Sequence, residues 1–357
     1  MRRLYSFILG IVAVIVLLFV GMTIMEKTTS SSAQSDKLVI YNWGDYIDPA
    51  LITKFTKETG IEVQYETFDS NEAMYTKIKQ GGTTYDLAVP SDYMIDKMIK
   101  ENLLIKLDKK RIKGLENIGT EFLGKSFDTN NDYSIPYFWG TVGIVYNTKL
   151  VKTAPKHWDD LWDSSYRNSI LLVDGAREVM GVGLNSLDYS VNTKNMAELK
   201  QALAKLQKLT PNIKAIVGDE MKGYMIQGDA AIGVTFSGEA SEMLESNPDL
   251  RYIVPSEGSN LWFDNLVIPK TVKHKDQAYA FINFMLKPEN AAQNAEYIGY
   301  ATPNQAAKKL LPKALREDKA FYPDQSTINH LEVYDNLGLK WLGIYNDLYL
   351  QFKMYRK

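Results

Sequence analysis

Hydrophobic and polar positions along this chain follow two rhythms. Lys37–Asn42, Ile61–Phe68 and Asp86–Val89 are short runs rich in β-branched and aromatic residues, and read as strands. Pro49–Gly60 and Asn71–Gln80 carry apolar residues at helical spacing, stopped by Gly60 and by Gly81-Gly82. Ser91 opens a further helix over Tyr93–Glu101. The rhythm returns later. Ile170–Val173, Ala230–Phe236 and Leu266–Ile268 read as strands, and Asn195–Lys208, Gly238–Glu245, His274–Leu286 and Pro288–Ile298 as helices. The final third is mostly helical. Strands alternating with helices predict βαβ units and parallel sheets. A chain of 357 residues exceeds one ordinary core, so the expectation is an α/β protein of two lobes.

The N-terminus breaks both rhythms. Arg2 and Arg3 precede an uncharged apolar run from Leu4 to Met25. As a helix this run is roughly 33 Å long, enough for a hydrocarbon core of about 30 Å. It is longer than the apolar region of a cleavable signal peptide, so a retained anchor is the preferred reading over cleavage near Ala33. The arginines place the N-terminus in the cytoplasm and the body outside. A Thr/Ser-rich linker follows, making residues 1–35 an anchor or signal segment plus linker.

Composition excludes more than it assigns. An apolar fraction of 45% and a charged fraction of 24% are those of a folded protein, and a net charge of −2 gives no footprint for nucleic acid. The absence of cysteine removes disulfides, thiol nucleophiles and thiolate metal sites. The histidines, His157, His274 and His330, have no ligand-like spacing, and no HExxH, GxSxG or phosphate-loop motif is present. Neither an enzyme nor a resident metal or cofactor is expected.

In an open α/β sheet, ligands bind beyond the carboxyl ends of strands. The segments there are Trp43-Gly-Asp-Tyr46, Pro90-Ser-Asp-Tyr93, Asp174-Gly-Ala-Arg-Glu178, Phe236-Ser-Gly-Glu239 and Trp262-Phe-Asp264. Most combine aromatics with carboxylates. A buried ammonium costs several kcal/mol unless a counter-charge receives it. Aromatic faces cover methylenes and attract the cation by roughly 0.5–2 kcal/mol. The pattern predicts a cleft for a small organic cation. Sugar sites use the same residue types, so a sugar remains the alternative. Asp92 and Glu239, by contrast, are expected to cap helix starts.

These segments resemble the spermidine/putrescine-binding proteins of bacterial ABC importers. YNWGDY at 41–46, YDLAVPSDYMIDKM at 85–98, NNDYSIPYFWGTVGIVYN at 130–147, LLVDGAREVMG at 171–181, LWFDNLVIP at 261–269 and IGYATPN at 298–304 carry the resemblance. It implies a type II periplasmic-binding-protein fold, with residues 36–140 and 264–303 in one lobe and 141–263 and 304–357 in the other. It also implies polyamine binding by Trp43, Asp45, Tyr46, Ser91, Tyr93, Glu178, Phe236, Trp262, Asp264, Tyr300 and Tyr334, with Gly44 and Asp174 as further candidates. Gly175, Phe236 and Tyr334 depart from the family pattern, as does Gly44, and leave the choice between spermidine and putrescine open. The implied partners are a membrane permease and its cytoplasmic ATPase.

Overall fold

The computed structural model describes residues 37–355, so the apolar run Leu4–Met25 and its expected anchor role lie outside the described residues. The first lobe opens with β1 (Leu38–Trp43), α1 (Pro49–Thr59), β2 (Val63–Phe68), α2 (Asn71–Gln80), β3 (Leu87–Ala88) and α3 (Asp92–Lys100). These are the elements the apolar spacing predicts, within one or two residues. Gly60 and Gly81 end α1 and α2 with φ of 73° and 69°, a left-handed turn that glycine adopts without steric cost.

The long strand β4 (Ser134–Asn147) then leads into the second lobe. That lobe contains β5 (Ile170–Val173), α4 (Ala176–Asn185), α5 (Met196–Leu209), β6 (Ile213–Val217), α6 (Glu220–Gln227), β7 (Ile232–Phe236), α7 (Ser237–Ser246) and β8 (Leu250–Ile253). The chain returns through β9 (Leu261–Val267) to α8 (Lys275–Met285) and α9 (Pro288–Ile298), and later forms α10 (Gly338–Met354). Among the described residues no helix is long and apolar enough to cross a membrane.

Among the described residues the strands form one nine-stranded sheet, ordered β2-β1-β3-β9-β4-β7-β5-β6 with β8 beside β4. Its flanks, β2-β1-β3 and β7-β5-β6, are parallel as expected. Its centre is not. β9 runs antiparallel to both β3 and β4, and β4 runs antiparallel to β7 and β8. The all-parallel expectation is therefore corrected for the middle of the molecule. Trp262, Phe263 and Asp264 are likewise not in a loop after a strand but inside β9. Glu178 sits in the first turn of α4 rather than in a loop.

The apolar core of the described residues falls into three clusters. One cluster packs β1, β3 and β9 against α1, α3 and α8 and includes Leu38, Phe55, Met98, Phe263 and Phe281. Beyond β4, Ile144, Leu172, Leu199 and Tyr345 form a second cluster, and Val145, Leu171, Met225 and Met243 a third on the other face of the sheet. Among the described residues, only β4 and β9 carry the sheet between the two halves. Glu332 lies beside them: its carbonyl accepts from Leu261 N at 2.8 Å, and its N–H donates to Ser259 O at 2.9 Å.

Candidate functional site

The site is built around one carboxylate. Asp264 in β9 is 6% exposed. Tyr46 Oη donates to its Oδ2 and Ser91 Oγ to its Oδ1, both at 2.6 Å. Ser91 holds the N-cap position of α3 yet makes no side-chain capping bond there; its hydroxyl is committed to Asp264. Asn71, at the start of α2, fixes Ser91 by accepting from its N–H and donating to its Oγ, both at 3.0 Å. Tyr46 is held from beneath. Its carbonyl accepts from Tyr137 Oη at 2.9 Å, and Tyr137 Oη accepts from Asn294 Nδ2 at 2.8 Å.

Aromatic rings wall this carboxylate. Tyr46 and Tyr300 meet edge to face at 5.3 Å, Tyr300 and Trp262 at 5.4 Å, and Trp262 and Phe236 at 6.3 Å. Two glycines admit these rings. A Cβ on Gly140 would lie 2.3 Å from the Trp262 ring, and one on Gly238 would lie 1.1 Å from the Tyr300 ring. Trp43 packs on Phe68 at 4.6 Å. The indole N–H groups of Trp43 and Trp262 are buried without a protein acceptor.

The other lobe contributes Glu178 from α4. Tyr334 is buried against it, and its hydroxyl favours the charged carboxylate. Arg177 stacks 4.1 Å over the Tyr334 ring and donates to Val191 O and Asn192 Oδ1. Among the described residues no lysine, arginine or histidine forms an ion pair with Asp264 or Glu178.

Three expected residues stand apart. Asp45 is exposed at a turn, with φ of 44°. Gly44 is exposed, and a Cβ there would touch nothing, so packing does not demand glycine. Asp174 accepts from Tyr349 Oη at 2.5 Å and pairs with Lys353 at 2.9 Å, which ties it to α10. Of the two expected caps, Glu239 pairs with Lys222 at 3.1 Å.

Asp92 does more than its sequence position announces. It is 1% exposed, and its two oxygens accept from Tyr93 N at 2.6 Å and Phe263 N at 3.1 Å. It thereby bolts the segment bearing Ser91 and Tyr93 to the strand bearing Trp262 and Asp264. No local signal separates it from an ordinary helix-start aspartate, because its partner lies 171 residues away.

Burial sets the electrostatics. It pushes Asp264 up to about 6, against the lowering effect of the Ser91 and Tyr46 hydrogen bonds. It pushes Asp92 up to about 8 and raises Glu178. A cation binds the ionised carboxylate, so affinity for a cationic ligand is expected to fall as pH drops through about 6. The sign for folding is opposite. A carboxyl raised above its ordinary value near 3.9 takes up its proton first in the folded state, so Asp264 adds stability to the unliganded protein as pH falls from above 6 towards 4. Calorimetric titrations between about pH 7.5 and 5 check this; equal affinity across that range would contradict the assignment.

Comparison with known proteins shows the family. Residues 50–323 match the family model for bacterial extracellular solute-binding proteins. This chain belongs to that family. It is 41% identical over 340 residues to the spermidine/putrescine-binding periplasmic protein of Salmonella typhimurium, covering 94% of this chain and 97% of that one. The putrescine-binding periplasmic protein SpuD of Pseudomonas aeruginosa is 31% identical over 346 residues, covering 90% and 94%. Among solved structures, the spermidine/putrescine ABC transporter substrate-binding protein of Streptococcus pneumoniae superposes with a TM-score of 0.86 at 71% identity, covering 90% of this chain and 100% of that one. The family's two-lobed periplasmic-binding-protein fold is thus the fold of this solute-binding protein, and its named relatives are ligand-binding components of transporters.

Proposed function

We propose that this protein captures a polyamine, spermidine or putrescine, outside the cytoplasm and delivers it to a membrane permease powered by a cytoplasmic ATPase. The observation that carries the reading is Asp264: a buried carboxylate held by two hydroxyls, walled by aromatic rings and unpaired with any cation of the described residues. An ammonium group supplies the missing charge through charge-assisted hydrogen bonds. The alkyl chain gains about 0.8 kcal/mol for each methylene taken from water against the rings. The printed names of the relatives support the same ligand class.

Capture proceeds by closure. Ligand contacts drawn from both lobes exist together only in the closed state, so the ligand shifts the hinge equilibrium. The proposed hinge is the trio of segments at Thr141–Val142 in β4, Asn260–Leu261 at the start of β9, and Glu332. Ala307, Leu311, Phe321 and Tyr322 pack with the first core, whereas Leu337, Tyr345 and Phe352 pack with the second. This packing supports a last crossing between lobes near Glu332–Tyr334, later in the chain than the expected 303–304. Leu4–Met25 is proposed as the tether that keeps the body at the outer membrane face.

Calorimetric titration with putrescine, cadaverine, spermidine and spermine tests the reading, with a neutral sugar as control. Polyamines are expected to bind with an affinity that weakens as salt rises. Absence of both heat and a rise in Tm at millimolar polyamine would refute it.

A further inference from the structure

The loop that carries Tyr46 does not hold itself. Asp45 stands in the left-handed region with φ of 44°, a conformation uncommon outside glycine. The support comes from behind, from α9. Asn294 there is 1% exposed. Its Nδ2 donates to Tyr137 Oη at 2.8 Å, and Tyr137 Oη donates to Tyr46 O at 2.9 Å. Its Oδ1 accepts from Asp48 N at 2.9 Å, and the neighbouring Gln293 Nε2 donates to Asp48 Oδ2 at 2.7 Å. One amide thus grips the loop both at Tyr46, through Tyr137, and at Asp48. The same helix ends at Gly299 and delivers Tyr300, whose ring meets Tyr46 at 5.3 Å.

The direction of each bond is fixed. A backbone N–H can only donate, so the Asn294 atom facing Asp48 is the oxygen and the atom facing Tyr137 is the nitrogen. A phenol carries one proton. Because the amide donates to Tyr137 Oη, that proton points at Tyr46 O. Burial holds the Tyr137 phenol well above its ordinary range, so the proton stays in place. Packing alone does not fix these groups, since a cavity of about 20 Å³ is lined by Tyr137, Asn294, Leu266 and Thr302 among others.

We propose that Asn294 is a positioning residue for ligand capture: through Tyr137 and Asp48 it fixes the loop that carries Tyr46, and so aims the Tyr46 hydroxyl at Asp264. The inference rests on the reading of Asp264 as the carboxylate that receives an ammonium group. Asn294 itself touches no ligand. Its contribution is a carboxylate already oriented before the cation arrives.

The test is calorimetry with putrescine on the full chain, between about pH 7.5 and 5, comparing the unaltered protein with Asn294→Ala and Tyr137→Phe. Each change is expected to weaken putrescine roughly three- to tenfold at the upper pH. The pH at which affinity falls also moves upward, because a Tyr46 hydroxyl displaced from Asp264 no longer favours its charged form. The other titratable groups around Asp264 are Tyr137, Tyr300 and Asp92. The tyrosines stay neutral in this range, and Asp92, raised by burial, is common to every variant. In a Tyr46→Phe background neither change is expected to shift the pH profile further, the signature of action through Tyr46. Tyr137→Phe keeps the ring packed on Phe138 at 4.5 Å, so it decides the matter if Asn294→Ala fails to fold. An unaltered affinity and pH profile in Tyr137→Phe or in folded Asn294→Ala, even with a lowered Tm, overturns the inference and leaves polyamine capture intact. So does a pH shift that persists without the Tyr46 hydroxyl. Failure of the unaltered protein to bind putrescine, spermidine or spermine overturns both.

Discussion

Replacing Asp264 with alanine is expected to weaken polyamine binding by roughly 2–5 kcal/mol, because it leaves a buried ammonium without its counter-charge. The same change has the opposite character for the unliganded fold. Burial already pushes this carboxyl up to about 6, so an ionised Asp264 is a cost to the empty protein near neutral pH. Removing it relieves that cost, and Tyr46 and Ser91 each lose one acceptor. The expected pair of results is a large loss of affinity by calorimetry with an unliganded Tm that holds or rises, the trade of stability for activity common at binding sites. Unchanged affinity would remove Asp264 from the site. A collapse of the unliganded Tm would make it a structural residue instead.

The second large effect comes from a single methyl group. Gly238, in the first turn of α7, belongs to the second lobe, and the Tyr300 ring that occupies its Cβ position packs with the first core. Tyr300 is boxed by Tyr46 and Trp262 and has little room to step aside. Gly238→Ala therefore inserts a wedge between the lobes, with an overpacking cost of about 1–3 kcal/mol that falls on the closed state. The backbone at 238 is helical and suits alanine, which favours a helix interior by roughly 0.5–1 kcal/mol over glycine. Polyamine affinity is expected to fall about ten- to a hundredfold while the unliganded Tm is unchanged or higher. Scattering or fluorescence should find the variant more open at saturating ligand. Binding at unaltered affinity would show that Tyr300 yields freely.

Much of this fold is legible in the sequence where local rules act alone. The helices of the first lobe carry their own stops, as Gly60, Gly81 and Gly299 show, and the parallel strands between them are short and β-branched. The long crossing strand β4 is hidden for a physical reason. All of its fourteen residues are buried, so the alternation that marks a half-exposed strand is absent, and Pro136, Gly140 and Gly143 imitate a loop. β9 is shortened in the sequence reading because Asp264 and Asn265 interrupt its apolar run. Asp264 is polar there because it receives the Tyr46 and Ser91 hydroxyls, so the candidate site itself masks the element.

The site divides in the same way. Tyr46, Ser91, Trp262, Asp264 and Tyr300 come together as the motif segments imply, and Glu178 meets Tyr334. Asp45 and Asp174 do not join them, since one faces solvent and the other pairs with Lys353. Asn71 and Asp92 escape a linear reading because each acts through a residue on a different element.

The crossing strands have a consequence for handling the molecule. Each lobe is assembled from separated stretches of chain, and β4 passes between them with every residue buried. A protease meets no exposed strap at β4, and no contiguous stretch of the gene encodes a complete lobe.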